Sequence, residues 1–135
     1  MADDGDGGGS VGGSVGGFAG GLGARVREGD DGAAVLDFEV RDEHLNPAGT
    51  LHGGVLATLV DTAMGQAVRT TTGEGEVPAT SQLTVTYLRP GKPGPLEVRG
   101  RVRTRGEHLT ICEADVEQEG RALAHAVATF AVLQH

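Results

Sequence analysis

The stretch from residue 46 to 65, NPAGTLHGGVLATLVDTAMG, combines groups that could polarise a carbonyl with one that could activate water. Gly53 and Gly54 open an apolar helical pattern, and uncovered N–H groups at a helix start suit a carbonyl oxygen or an anion. The carboxylate of Asp61 lies eight residues further on, about 12 Å along a helix axis. One chain therefore cannot bring both groups to one reacting atom, whereas two antiparallel copies of this helix across a two-fold axis can. We predict a site shared between the subunits of a homodimer.

The same pattern also has a purely structural interpretation. Asp61 could be a solvated helix residue, and the glycines a loop-to-helix junction; the spacing alone does not separate the two. Gly65, four residues after Asp61, costs about 1 kcal/mol relative to alanine in a helix interior. We therefore expect another helix to approach closely at this row.

The elements that position these residues follow from periodicity. Alternating Leu36, Phe38 and Val40 predict a strand over residues 34–41. Apolar pairs recurring every four residues predict a helix of about four turns that ends near residues 70–73, with one face formed by Val55, Leu56, Leu59, Val60, Ala63, Met64, Ala67 and Val68. Four more strands are predicted at residues 79–88, 95–104, 108–117 and 121–133. These elements predict an α+β domain in which an antiparallel sheet covers the helix and the last strands form a meander.

Composition narrows the class of protein. A chain of 135 residues fits one domain. Its net charge of -8 and pI near 5.0 argue against nucleic-acid binding. The single Cys112 excludes an intramolecular disulfide, and without a leader or a membrane-spanning run we expect a cytoplasmic protein with no membrane partner. Eleven of the 24 glycines lie in residues 1–24, so residues 1–17 are interpreted as a flexible tail without chemistry, and residues 18–135 as the domain.

The motif resembles that of a known family. Asn46-Pro47, Gly49, His52-Gly53-Gly54 and Asp61-Thr62-Ala63 are similar to the hotdog-fold acyl-CoA thioesterases of the phenylacetate-degradation (PaaI) type. The likeness runs from Phe18 to Leu133 and includes VTYLRPGKPGPLEVRGRV and GRALAHAVATFAVL. It implies a long central helix wrapped by a curved antiparallel sheet, hydrolysis of acyl-CoA to acid and CoA without cofactor or metal, and homodimers often paired into tetramers. The family's short helix before LGARV is not predicted here, because GGFAGGLGA favours helix poorly.

The resemblance also assigns roles to single residues. Asp61 takes the carboxylate position and Gly53 that of the N–H that polarises the thioester carbonyl. Asn46 and His52 match positions that orient the water or the acyl group. The hydroxyl residue of the next strand falls on Thr80, with Ser81 as the off-by-one alternative. A carboxylate could act as general base or attack directly, and we favour the general base.

Basic residues near the last strands are candidates for the phosphates of CoA. Alternating arginines in RGRVRTRG share one face of a strand, and we predict CoA contacts at Arg89, Lys92, Arg103 and Arg105. The competing interpretation pairs these arginines with Glu97, Glu107 and Glu113 across strands. Among the histidines, we expect His125 to be packed or at an interface, and His44 and His108 to be exposed.

Other chemistries receive less support. No G-x-S-x-G elbow exists for a serine triad, and the lone Cys112 and scattered histidines lack zinc-ligand spacing. A hydratase or dehydratase would need a paired Asp and His that the sequence lacks. A non-catalytic acyl-CoA-binding module stays as the alternative function, although binding alone does not require the spaced carboxylate. Aryl-acetyl, aryl and medium-to-long acyl groups are all open as substrates.

Overall fold

The computed structural model describes residues 13–134, which form one antiparallel sheet and one long helix. The N-terminal elements are β1 (Gly13–Ser14), α1 (Gly17–Leu22), β2 (Arg25–Asp30), β3 (Ala33–Val40) and a 3-10 turn (Asp42–His44). They are followed by α2 (Gly53–Arg69), β4 (Glu76–Tyr87), β5 (Gly94–Arg105), β6 (Leu109–Gln118) and β7 (Arg121–Gln134). The sheet order is β1-β2-β3-β5-β6-β7-β4. The curved sheet and its single long helix confirm the predicted α+β hotdog fold.

The apolar face of α2 forms the centre of the core. Seven of the eight apolar residues predicted for this face are buried, and the eighth, Val55, is partly buried. The helix ends at a run of three threonines, whose hydroxyls donate to the carbonyls of Ala67, Val68 and Arg69. Those carbonyls have no partner within the helix, so the TTT run stabilises the helix end that periodicity predicts.

One glycine in β5 sets how closely the sheet approaches α2. A Cβ built on Gly100 would lie 2.7 Å from the carbonyl carbon and oxygen of Ala63, which is closer than real Cβ contacts allow. The sheet therefore touches the helix backbone at this point. This contact packs the backbone of α2 directly against β5, so the side of the helix at Ala63 is closed to a ligand.

The strand that carries the candidate hydroxyl lies at an edge of the sheet. β5, β6 and β7 form the predicted meander, whereas β4 pairs only with β7 within the described residues. β2 pairs with β3 at the other side and was not predicted, since REGD lacks an alternating apolar pattern. An open edge at β4 leaves its backbone available for another chain.

The helix α1 corrects the expectation that GGFAGGLGA would not be helical. Its side chain Ala19 is buried, and Gly23 ends the helix in the left-handed conformation with φ of 110°. Burial of Ala19 and this cap outweigh poor helix propensity. Most of the predicted tail, residues 1–12, lies outside the described residues, while Gly13–Ser14 pair with β2. No helix within residues 13–134 is long and apolar enough to span a bilayer.

Candidate active site

The carboxylate of Asp61 meets one hydroxyl of the edge strand. Thr80 Oγ1 in β4 donates a hydrogen bond of 2.6 Å to Asp61 Oδ1 in the third turn of α2. No donor among residues 13–134 lies within hydrogen-bond distance of the other oxygen, Oδ2. The contact holds the carboxylate in one orientation and leaves one oxygen for water or substrate.

A β-bulge decides which hydroxyl faces Asp61. Thr80 pairs with Phe130 and Gln82 with Thr129, so Ser81 is an extra residue in β4. Ser81 Oγ donates instead to the carbonyl of Thr129 at 3.1 Å. Without the bulge, Thr80 could not share the helix-facing side with the residues that follow. Of the two hydroxyl candidates, the structure brings only Thr80 to Asp61.

Asp61 lies in a groove of about 460 Å³. The groove is lined by Asp61, Ala57, Thr58 and Thr62 of α2, by Leu83 of β4, and by Val15, Gly16, Phe18 and Ala19 of the N-terminal segment. The Thr58 and Thr62 hydroxyls donate back to the carbonyls of Gly54 and Thr58, at 2.9 and 2.7 Å. Their polar atoms are thus used within the helix, and their methyl groups add to the apolar lining.

The start of α2 offers a backbone donor. His52 caps the helix, with Nδ1 accepting the Gly54 N–H at 2.9 Å, so the neutral ring carries its proton on Nε2. The carbonyl of Gly53 accepts the hydroxyl of Tyr87 at 2.7 Å. No acceptor for the Gly53 N–H exists within the described part of the chain. A free N–H at the positive end of a helix can stabilise a carbonyl oxygen that gains charge.

Asn46 shapes the loop before this helix. Its Oδ1 accepts the N–H groups of Ala48 and Thr50 at 3.0 and 3.1 Å, and its Nδ2 donates to Thr50 Oγ1 at 3.0 Å. One Nδ2 hydrogen is left for another partner. The structure therefore gives Asn46 a clear role in holding the turn that leads to His52.

The predicted site residues fall into two groups on one chain. Asp61 and Thr80 border the first groove, whereas His52 and Gly54 line a second groove of about 370 Å³. Phe18 lines both grooves. The carboxylate and the helix start of one subunit are thus not brought to one point.

The histidines correct one expectation. His44, predicted to be exposed, is only 3% exposed: its Nδ1 accepts the Arg41 N–H at 2.9 Å and its ring lies 4.8 Å from that of Phe38. The 3-10 turn directs the ring inward, which a loop composition does not reveal. His108 is exposed as predicted. His125 is half-exposed and packs through Nδ1 against Asp115 Oδ1 at 2.8 Å.

The four predicted CoA contacts lie in two surroundings. Arg103 pairs with Glu113 at 3.1 Å, and Arg105 donates to Thr71 Oγ1 at 2.6 Å. Arg89 and Lys92 instead border a groove of about 270 Å³ together with Arg121 and Glu119. Arg121 was not predicted, because only the turn after β6 brings it near the loop after β4.

Comparison with known proteins identifies the family. Residues 48–125 match the model of the thioesterase superfamily. The acyl-coenzyme A thioesterase PaaI of Escherichia coli is 32% identical over 105 residues, which cover 76% of this chain and 73% of that protein. The chain spans 60 to 61% of the length of relatives from Caenorhabditis elegans and human.

Solved structures agree with the sequence match. A conserved protein of Pseudomonas aeruginosa superposes with a TM-score of 0.85 at 27% identity, covering 89% of this chain and 96% of that one. A thioesterase protein of Streptococcus pneumoniae, solved with coenzyme A, gives a TM-score of 0.77 at 30% identity and covers 83% and 90%. The chain belongs to the thioesterase superfamily, as a hotdog-fold thioester hydrolase of the PaaI type.

Proposed function

We propose that this enzyme hydrolyses acyl-CoA thioesters to a free acid and CoA at sites shared between two subunits. The observation that carries the proposal is the Gly53 N–H, which has no acceptor among residues 13–134 and lies in the same helix as the Thr80-bound Asp61 carboxylate, although Gly53 does not line the Asp61 groove. The CoA half of the substrate is supported by the relative solved with coenzyme A and by the named activity of the Escherichia coli relative.

The start of α2 polarises the thioester. The Gly53 N–H donates to the carbonyl oxygen, and the outward Nε2–H of exposed His52 is a second donor. As the carbonyl carbon becomes tetrahedral, negative charge develops on this oxygen. Fixed donors stabilise that charge without the reorganisation that water requires, and each such donor typically contributes about 10²–10³ in rate.

Asp61 activates the attacking water. Because Thr80 occupies Oδ1, Oδ2 accepts a proton from a water molecule as that water attacks the carbonyl carbon. The tetrahedral intermediate then breaks its carbon–sulfur bond, and CoA leaves as the thiolate, which takes up the proton held by Asp61 or one from solvent. The other product is the carboxylic acid.

The isotope content of the acid distinguishes this route from direct attack by Asp61. A single turnover with enzyme in excess, in water enriched in ¹⁸O, places the label in the product acid if Asp61 is the base. Attack by Asp61 itself forms an anhydride, and its hydrolysis at the aspartyl carbon would leave ¹⁶O in the first product and ¹⁸O in the enzyme. Mass spectrometry of acid and protein reads both outcomes.

The two-subunit arrangement follows from distance and from the open surface. Eight residues of helix separate Gly53 from Asp61 by about 12 Å. Within the subunit, a methyl group on Gly65 would make only an ordinary contact of 3.6 Å with Phe130, so nothing among the described residues requires glycine there. Antiparallel packing of a second α2 along this row would explain the glycine, because a side chain there would keep the two helices apart. The same packing places each Asp61 beside the start of the partner's α2. We propose a homodimer, paired further into a dimer of dimers.

The phosphates of CoA best fit Arg89 and Lys92. These two residues border the groove that also contains Arg121, while Arg103 already pairs with Glu113 in the sheet and Arg105 donates to Thr71 in the segment after α2. Glu119 shares the groove, so the local charge is only partly positive. Of the four predicted contacts, Arg89 and Lys92 are therefore the ones we retain as phosphate ligands.

Mixed dimers test the shared site. Gly53→Pro removes the N–H where proline suits the first helical position, and His52 already has the extended backbone, φ -61° and ψ 129°, that must precede proline. Asp61→Asn removes the base. Each variant alone is expected to be inactive in thiol release from acyl-CoA, while an exchanged 1:1 mixture recovers about a quarter of wild-type activity, since half the dimers contain one intact site.

Gly53→Ala is the matched control for this experiment. It adds a Cβ against Tyr87 as Gly53→Pro does, at 3.3 Å from the hydroxyl oxygen, but keeps the N–H. It is expected to keep most of the activity. If the mixture recovered no activity although native mass spectrometry showed heterodimers, the shared site would be contradicted.

A further inference from the structure

Phe18 is an exposed aromatic side chain that no step of the mechanism uses. It is 75% exposed, more than any other large hydrophobic residue of the described chain, where the next two reach 52%. A single exposed aromatic side chain is common on protein surfaces, so its position relative to the site decides its meaning. The ring also lies at a particular place, since it lines both the Asp61 groove and the groove at His52 and Gly54.

The helix that carries Phe18 holds its backbone but not its ring. In α1, Ala19 is buried and Leu22 packs against the core, so these two residues dock the helix. Three of the six residues, Gly17, Gly20 and Gly21, have no side chain that could cover the ring. Phe18 is thus presented to the groove and is free to be covered by whatever enters it.

The chemistry of the groove selects between the two halves of the substrate. Its lining contains the apolar side chains of Val15, Phe18 and Leu83, and Asp61 is the only charged residue among the described lining residues. The anionic phosphates of CoA would be repelled by Asp61 and would find no cation here. An apolar acyl group extending from a carbonyl carbon near Asp61 would instead cover the Phe18 ring.

We propose that Phe18 contacts the acyl group and gives this enzyme its preference for acyl chains or rings large enough to reach it. This inference rests on the proposed function, because it assumes that the acyl carbonyl lies at Asp61. Its energetic basis is the burial of apolar area on both partners, which grows with the acyl group and is absent for acetyl.

The test compares thioesters of different acyl size. For wild type and Phe18→Ala, kcat/KM is measured with acetyl-CoA, hexanoyl-CoA and phenylacetyl-CoA. Phe18→Ala is expected to lower kcat/KM about ten-fold or more for the hexanoyl and phenylacetyl substrates and less than about two-fold for acetyl-CoA. Phe18→Leu should fall between, because it keeps part of the apolar surface.

Ile111→Ala is the matched control, since Ile111 in β6 is another exposed hydrophobic, 43% exposed, that lines neither groove. It should leave kcat/KM for all three substrates unchanged from wild type. An equal loss for all substrates in Phe18→Ala, or a change of oligomer mass by light scattering, would overturn the proposal in favour of a subunit contact. Values of kcat/KM in Phe18→Ala that equal those of wild type for all three substrates would overturn it as well.

A binding measurement separates this inference from the proposed activity. Calorimetry with the thioether hexyl-CoA, which cannot be hydrolysed, should show about ten-fold weaker binding to Phe18→Ala, with binding of free CoA unchanged. If wild type released no thiol from any substrate, the proposed activity would fail while this result would still support the acyl contact. Equal hexyl-CoA affinities would contradict the acyl contact even in an active enzyme.

Discussion

Two regions of this molecule carry acidic side chains that have very different hydrogen-bond and ion-pair partners. On the sheet face away from α2, the Glu113 carboxylate accepts a hydrogen bond of 2.7 Å from Arg101. The Asp115 carboxylate accepts hydrogen bonds from both Arg101, at 3.3 Å, and His125, at 2.8 Å. In the groove beside α2, the only hydrogen bond that Asp61 accepts from residues 13–134 comes from the neutral hydroxyl of Thr80. The first region neutralises its acids across strands, whereas the second keeps a carboxylate whose charge is not cancelled. The difference separates a charge that organises a sheet from one available to a reaction.

We call these pairs of Glu97, Glu113 and Asp115 with basic side chains the ladder, and its titration behaviour follows from the partners. Burial alone would raise the pKa of Asp115, but hydrogen bonds from His125 and Arg101, with their charges, hold it below its ordinary value. Glu97 behaves in the same way: burial acts to raise its pKa, and Arg27 and Arg99 lower it further than burial raises it. Stacked pairs of this kind keep the acids ionised and unreactive.

The largest effect that tests this contrast is expected at Asp61. Asp61→Asn keeps the shape of the side chain and can still accept from Thr80, but it cannot take a proton from water. We expect kcat for acyl-CoA hydrolysis to fall by about 10²–10⁴, the usual contribution of a general base, with an unchanged urea midpoint. The matched change in the ladder, Asp115→Asn, should leave kcat within about two-fold. Equal kcat losses in the two variants would erase the distinction between the regions.

The sequence predicts one of these regions better than the other. The helix face and the place of Asp61 in it follow from a 3.6-residue period, which is local and therefore legible in one chain. The alternation of RGRVRTRG likewise places Arg101 and Arg103 on one face. Whether such arginines meet phosphates or carboxylates depends on Glu113 and Asp115 of the neighbouring strand, and this pairing is known only once the register is known.

Three features were beyond sequence reasoning for physical reasons. The bulge at Ser81 adds one residue to β4, so the choice of Thr80 depends on the register with β7. The burial of His44 depends on a single 3-10 turn that no periodic pattern announces. The helix α1 forms against its intrinsic propensity, because its buried alanine and left-handed glycine cap belong to the folded context.

A smaller effect is expected at the hydroxyl that orients the carboxylate. Thr80→Val has nearly the same shape but cannot donate to Asp61 Oδ1, so the carboxylate stays in place but loses its fixed orientation. We expect kcat to fall about ten-fold with little change in KM, since one net hydrogen bond contributes on the order of 1 kcal/mol. Thr80→Ser should restore most of kcat. Ser81→Ala, which removes only a hydrogen bond to the Thr129 carbonyl, is the control; a larger kcat loss there than in Thr80→Val would contradict the assignment.

The smallest effect lies in the ladder and depends on pH. Because the pKa of Asp115 is below its ordinary value in the folded protein, its carboxylate stabilises the fold above the pKa of the unfolded chain, and this stability is lost as pH falls through the folded value. The side chain is 41% exposed, so screening keeps the contribution below about 1 kcal/mol. Urea unfolding should therefore show Asp115→Asn less stable than wild type at pH 6, and this gap in unfolding free energy should close below about pH 4.

Glu107→Gln is the control, since Glu107 is exposed and has no ion-pair partner among residues 13–134, and it should show no such pH-dependent gap. A gap for Asp115→Asn that persisted at low pH would mean that the substitution acts through packing rather than through the charge of the ladder.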